Sequence, residues 1–170
     1  SILVSTEFAT TILIKGKMSS DSLFDGRVDY FIRDTLVAFR TFQNGAANGK
    51  SVSYYPNGVI KQLSNELNGK VDGVSLLFNQ EGNILRSQFY FQGRLMGPQV
   101  VYDSNGNASN YEFLNFENDV ICGINYSLKN VTIQNGKLLY PTFTNLNIDG
   151  NDFTRIFLYL FNPPKLKCVY

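Results

Sequence analysis

Asp21, Asp25, Asp29 and Asp34 form an acidic stretch near the start of the chain. Two carboxylates facing each other across a cleft are the minimum equipment for acid–base hydrolysis of a glycosidic bond. No pocket signature accompanies these four, and acids so placed are by default solvated strand ends and turns. Asn147-Ile148-Asp149-Gly150-Asn151-Asp152 spaces its oxygen ligands like a calcium loop but lacks the downstream bidentate glutamate. Histidine is absent, which removes the commonest general base and the commonest metal ligand. The two cysteines, Cys122 and Cys168, can pair in an oxidising compartment or sit free and buried, and their spacing leaves both open. With no nucleophile motif and no metal cluster, the expectation is a protein that is not an enzyme and holds no cofactor and no metal.

The elements that would position any site announce themselves through glycine. Gly58, Gly82 and Gly106 fall in register with a step of 24 residues, and so do Gly49, Gly73 and Gly97, and Gly45, Gly69 and Gly93. A fixed period of this length marks an array of one small supersecondary unit. Three full units follow one another, Gly45–Asn68, Gly69–Gln92 and Gly93–Phe116. Each reads as turn, short strand, tight turn, longer strand. The tight turns are centred on Asn57-Gly58, Glu81-Gly82 and Asn105-Gly106, so each unit is expected to be one antiparallel hairpin. A parallel β-helix is the competing fold for such a period.

Alternation supports strands. Val52, Leu76 and Val100 match in position, as do Tyr54, Phe78 and Tyr102, and Leu63/Leu67, Phe89/Phe91 and Tyr111/Phe113 continue the pattern. These are expected on the core side, with the three aromatics packing across strands. The intervening Gln62/Ser64/Glu66, Arg86/Gln88/Tyr90 and Asn110/Glu112 should face water. The fold class is therefore all-β, a twisted antiparallel sheet of consecutive hairpins with β caps at both ends. Residues 1–43 form an N-terminal cap with a degenerate repeat, in which Asp34 takes the place of Gly58. Residues 44–123 carry the hairpin repeats. Residues 124–170 form a C-terminal β cap, the whole being one continuous domain.

The unit resembles the MORN-type repeat, and among its variants the one found in bacterial YwqK-type antitoxin and immunity proteins. The matching residues are Tyr54-Tyr55-Pro56-Asn57-Gly58 with Asn68-Gly69-Lys70 and Gly73; then Phe78, Glu81-Gly82, Gln92-Gly93-Arg94 and Gly97; then Tyr102 and Asn105-Gly106. The resemblance covers residues 44–123. It implies a twisted sheet of stacked hairpins and a role in binding a partner. Val59 follows Gly58 where that repeat usually has Lys, and no Trp follows the Gly73 and Gly97 turns.

Charge narrows the partner. The whole chain carries +1, too little for the dense basic stripe of a nucleic-acid groove. Residues 44–123 hold five Lys/Arg against seven Asp/Glu, a net of −2 with no evident attraction for anionic lipid. The resemblance, together with the exposed polar columns and the lack of catalytic equipment, implies a non-catalytic binding module, an immunity or antitoxin protein that neutralises a toxin or effector protein by occlusion. The alternative is a MORN-type scaffold or membrane-associated protein. The expected partner-binding residues are Tyr55, Glu66, Arg86, Tyr90, Asp103 and Glu112, on the polar side of the strands. The chain begins with Ser, which leaves room for a segment removed upstream, and a periplasmic or otherwise extracytoplasmic place is slightly favoured over the cytoplasm.

Overall fold

The computed structural model describes the backbone of residues 2–5, 11–126, 131–136, 139–148 and 151–160, and the side chains of residues 11–126. Among these every regular element is a β-strand: β1 (Ile2–Ser5), β2 (Thr11–Met18), β3 (Phe24–Ile32), β4 (Thr35–Gln43), β5 (Ala46–Tyr54), β6 (Ile60–Leu67), β7 (Lys70–Val71), β8 (Gly73–Phe78), β9 (Ile84–Phe91), β10 (Arg94–Tyr102), β11 (Ala108–Leu114), β12 (Val120–Tyr126), β13 (Val131–Gly136), β14 (Leu139–Ile148) and β15 (Asn151–Leu160). Strands β1 to β13 make one open sheet in chain order, the short β7 pairing only with β6. Every pairing is antiparallel, so the parallel β-helix is excluded. The pair β14–β15 forms a separate two-stranded sheet.

The expected hairpins are β5–β6, β8–β9 and β10–β11, and two kinds of connection alternate between the strands. On one side of the sheet sit two-residue turns. Asn68 (φ 51) and Gly69 (φ 78) both lie in the left-handed region, the geometry that matches the right-handed twist of the flanking strands. Asn44-Gly45 and Gln92-Gly93 repeat it. On the opposite side the connection is wider. Tyr55 N–H donates to the Val59 carbonyl and Gly58 N–H to the Tyr55 carbonyl, which makes Pro56-Asn57-Gly58 a three-residue loop. Only its last residue, Gly58 (φ 83), is left-handed. Residues 79–83 and 103–107 have the same backbone bonds. Asp34, which occupies the place of Gly58 in the degenerate repeat, is also left-handed (φ 59) but closes a two-residue turn with Arg33. Where the β11–β12 connection departs from the two-residue pattern, residues Asn115–Asp119 form a wider loop with Asn118 (φ 69) left-handed.

Cross-strand register assigns the faces. Phe39, Val52, Leu63, Leu76, Ser87, Val100, Tyr111 and Ile124 follow one another across the sheet on the first face. The core sits here at the β10–β12 end, where Val100, Ala108, Tyr111, Cys122 and Ile124 are buried. Cys122 is wholly buried; Cys168 lies outside the described residues, as do the side chains of Asn147–Asp152.

Two packing expectations need correction. Tyr54, Phe78 and Tyr102 share this face but lie on β5, β8 and β10, so other strands intervene. Each stands opposite an aliphatic residue instead, Ile60, Ile84 and Ala108 respectively, and all three rings are half-buried. Leu67 and Phe91, expected inward, are 45% and 43% exposed. They end their strands beside two-residue turns, where alternation still sets their direction but too few neighbours remain to cover them. Phe91 packs edge-on against Phe116 with ring centroids 6.2 Å apart.

Candidate functional site

The second face of the sheet carries the polar columns. Three rows cross it. One runs through Tyr30, Ala38, Ser53, Gln62, Leu77, Arg86, Val101 and Asn110. The next includes Arg40 and Ser51, Ser51 and Ser64, Ser75 and Gln88, and Gln99 and Glu112 as facing pairs. The third includes Gly49 facing Glu66, and Gly73 facing Tyr90. Between Arg40 and Glu112 the middle row is made of serines and glutamines, with longer side chains such as Gln62, Leu77 and Glu66 beside them, and Ser64, Ser75 and Gln99 are buried although polar. Gln99 Nε2 turns back to the Met96 carbonyl at 3.1 Å.

This face sorts the six expected partner-binding residues into two groups. Three are engaged within the sheet. Tyr55 donates its hydroxyl to the Phe78 carbonyl (2.8 Å), tying one loop to the next hairpin. Asp103 Oδ1 accepts from the backbone N–H groups of Asn105 (2.9 Å) and Asn107 (2.8 Å), so it closes its own loop. Asn79 does the same for Glu81 and Asn83. Glu66 is held by Arg40: Arg40 Nη2 donates to Oε2 at 2.7 Å and to Oε1 at 2.8 Å, and Nε donates to Oε2 at 3.0 Å. The other three remain on the open face of β9 and β11. Arg86 is exposed, Tyr90 and Glu112 are half-buried. Glu112 Oε1 accepts from Asn110 Nδ2 at 3.3 Å. Neither the Arg86 nor the Tyr90 side chain has a hydrogen bond, ion pair or ring contact with another described residue.

The Arg40–Glu66 pair belongs to a cleft that the sequence reading missed. Arg40 is on β4 and Glu66 on β6, two strand spacings or about 10 Å apart. The guanidinium must therefore cross β5. It can do so because β5 offers Ser51 opposite Arg40 and Gly49 opposite Glu66, neither of which raises a long side chain in the way. The Arg40 guanidinium also lies 5.7 Å from the Phe42 ring centroid. Beside the pair opens a cleft of about 480 Å³, lined by Tyr30, Ala38, Ser51, Ser53, Gln62, Ser64 and Val71. Gln62 Nε2 donates to Ser75 Oγ (3.1 Å), which fixes the amide in place. The only signal available beforehand was the charge of Arg40 at an alternate strand position, and nothing local says which acid it meets.

No protein-family model matches the chain, and no curated protein is similar to it.

Proposed function

We propose that this chain is a non-catalytic protein-binding module of the immunity or antitoxin kind, which occludes a partner protein with the polar face of its sheet. One observation carries the reading: Arg86 and Tyr90 stand on the same face of β9, four residues apart, and neither side chain has a hydrogen bond, ion pair or ring contact with another described residue. Arginine and tyrosine are the side chains most enriched among interface anchors, because each buries a large area at modest entropic cost. Tyr90 faces Gly73, so nothing on β8 covers that flank of its ring. Glu112 places an acid two strands away on β11, opposite Gln99, which itself faces Gln88 of β9. Glu66, Tyr55 and Asp103 drop to supporting roles, since binding through them would first have to break bonds they already make.

The test is capture of a partner from an extract of the source organism by the immobilised protein, in parallel with an Arg86→Ala/Tyr90→Ala variant. An anchor pair weakens the captured complex by at least about 2 kcal/mol, roughly thirtyfold, while the urea midpoint of the free protein stays put. Equal capture by both forms overturns the assignment. The MORN-type membrane scaffold is the second reading, and sedimentation with anionic vesicles separates the two. Salt-sensitive binding to such vesicles would favour the scaffold, against the net −2 of residues 44–123.

A further inference from the structure

The cleft over β3–β7 has a chemistry of its own, distinct from the Arg86–Tyr90 surface on β9. We propose that it binds a neutral, polyhydroxylated ligand, a saccharide. Its charged lining residues are Arg40 and Glu66, and they neutralise one another through a two-toothed contact with N···O distances of 2.7–3.0 Å. An anion entering the cleft meets the Glu66 carboxylate along with the guanidinium, and a cation meets the reverse. Neither sign gains a net field.

The rest of the lining mixes the hydroxyl and amide groups of Ser51, Ser53, Gln62 and Ser64 with the apolar Ala38, Val52 and Val71, so a wholly apolar ligand would strip those polar groups of water without replacing their hydrogen bonds. What remains is dense neutral hydrogen-bonding capacity. The Ser51 and Ser53 hydroxyls and the Gln62 side-chain oxygen, Oε1, make no hydrogen bond to another described residue. Arg40 Nη1 likewise keeps its donors, and the Arg40 side chain is 37% exposed. These groups both donate and accept, as sugar hydroxyls do.

Tyr30 adds the one aromatic group. Its residue opposite on β4 is Ala38, so the ring is flanked there by no more than a methyl. It has no ring contact or hydrogen bond with another described residue. An amphipathic ring beside fixed polar groups suits the C–H face of a pyranose and its hydroxyl rim together. The volume of about 480 Å³ falls inside the roughly 300–1,000 Å³ of small-ligand sites.

The experiment is a titration of the ¹⁵N-labelled protein, separately, with maltotetraose, cellotetraose, chitotetraose, inorganic phosphate and tetralysine, each to about 10 mM. The expected result is saturable shifts with at least one neutral oligosaccharide, confined to Tyr30, Ala38, Ser51, Ser53, Gln62 and Ser64. Tyr30→Leu, which keeps bulk but removes the aromatic ring, and Gln62→Ala should each raise that Kd at least about tenfold. Both variants are checked by their unchanged spectra away from the cleft. Absence of saturable shifts with every sugar overturns the proposal, as do shifts mapping elsewhere or affinities that ignore both substitutions. Shifts at the cleft with phosphate or tetralysine alone would mean that the Arg40–Glu66 charges are not neutralised toward ligand, and would overturn it equally.

Discussion

Replacing Arg40 by Met should cost more stability than replacing Glu66 by Gln, although both break the same ion pair. The asymmetry comes from burial. The Glu66 side chain is 9% exposed and that of Arg40 37%. Removing one partner of a fully buried pair costs about 3–5 kcal/mol, because a charge is left without water or counter-charge. An exposed pair is worth about 0–1 kcal/mol. Arg40→Met leaves the covered carboxylate behind and should fall toward the upper range, at about 2–3 kcal/mol. Glu66→Gln leaves a guanidinium that water still reaches and an amide that can still accept one of its bonds, so about 1 kcal/mol is expected. The double variant Arg40→Met/Glu66→Gln removes both charges together. It should lose less than the sum of the two single losses by about 1–2 kcal/mol, which is the coupling across β5. The assay is urea unfolding followed by far-UV circular dichroism, since the chain has no tryptophan to report. If Arg40→Met costs no more than Glu66→Gln, the carboxylate is not desolvated as described. If both cost under about 0.5 kcal/mol, the pair is a surface contact and contributes little to holding β4, β5 and β6 together.

Phe78→Ala should destabilise by about 1–3 kcal/mol, less than the roughly 3–5 kcal/mol of a fully buried phenylalanine, because the ring is half-buried opposite Ile84. A loss under about 0.5 kcal/mol in urea unfolding would mean that the ring faces solvent. Gly45→Ala should cost more than Gly106→Ala although both residues are left-handed, at φ 80 and 78. A β-carbon at Gly45 meets Leu23 Cδ2 at 3.1 Å, whereas at Gly106 nothing lies within 4 Å. Both carry the backbone penalty of about 1 kcal/mol, and the difference in thermal unfolding isolates the contact. Equal losses would refute the crowding at Gly45.

Most of the local architecture was legible in the chain itself. Asn68-Gly69 and Gly58 mark where the backbone must turn left-handed, and that requirement is a property of the residues. The alternation through Val52 and Tyr54 marks strands for the same reason, since successive side chains point to opposite faces whatever lies beyond. Short connections then leave antiparallel pairing as the available outcome. What lay beyond reading was everything that depends on strands two apart. Which row meets which is set by loop length, and the loops proved to be of two kinds, with three residues at Pro56-Asn57-Gly58 but two at Asn68-Gly69. Only that register brings Arg40 over Ser51 and Gly49 to Glu66, engaging in an ion pair a residue expected to face a partner, with a cleft beside the pair. Tyr55 and Asp103 are engaged for a similar reason: their polar ends find backbone groups of the loops, one on the next hairpin and one on its own. A period-two pattern tells which face a side chain takes; only the assembled sheet decides whether a neighbour has already claimed its hydrogen bonds.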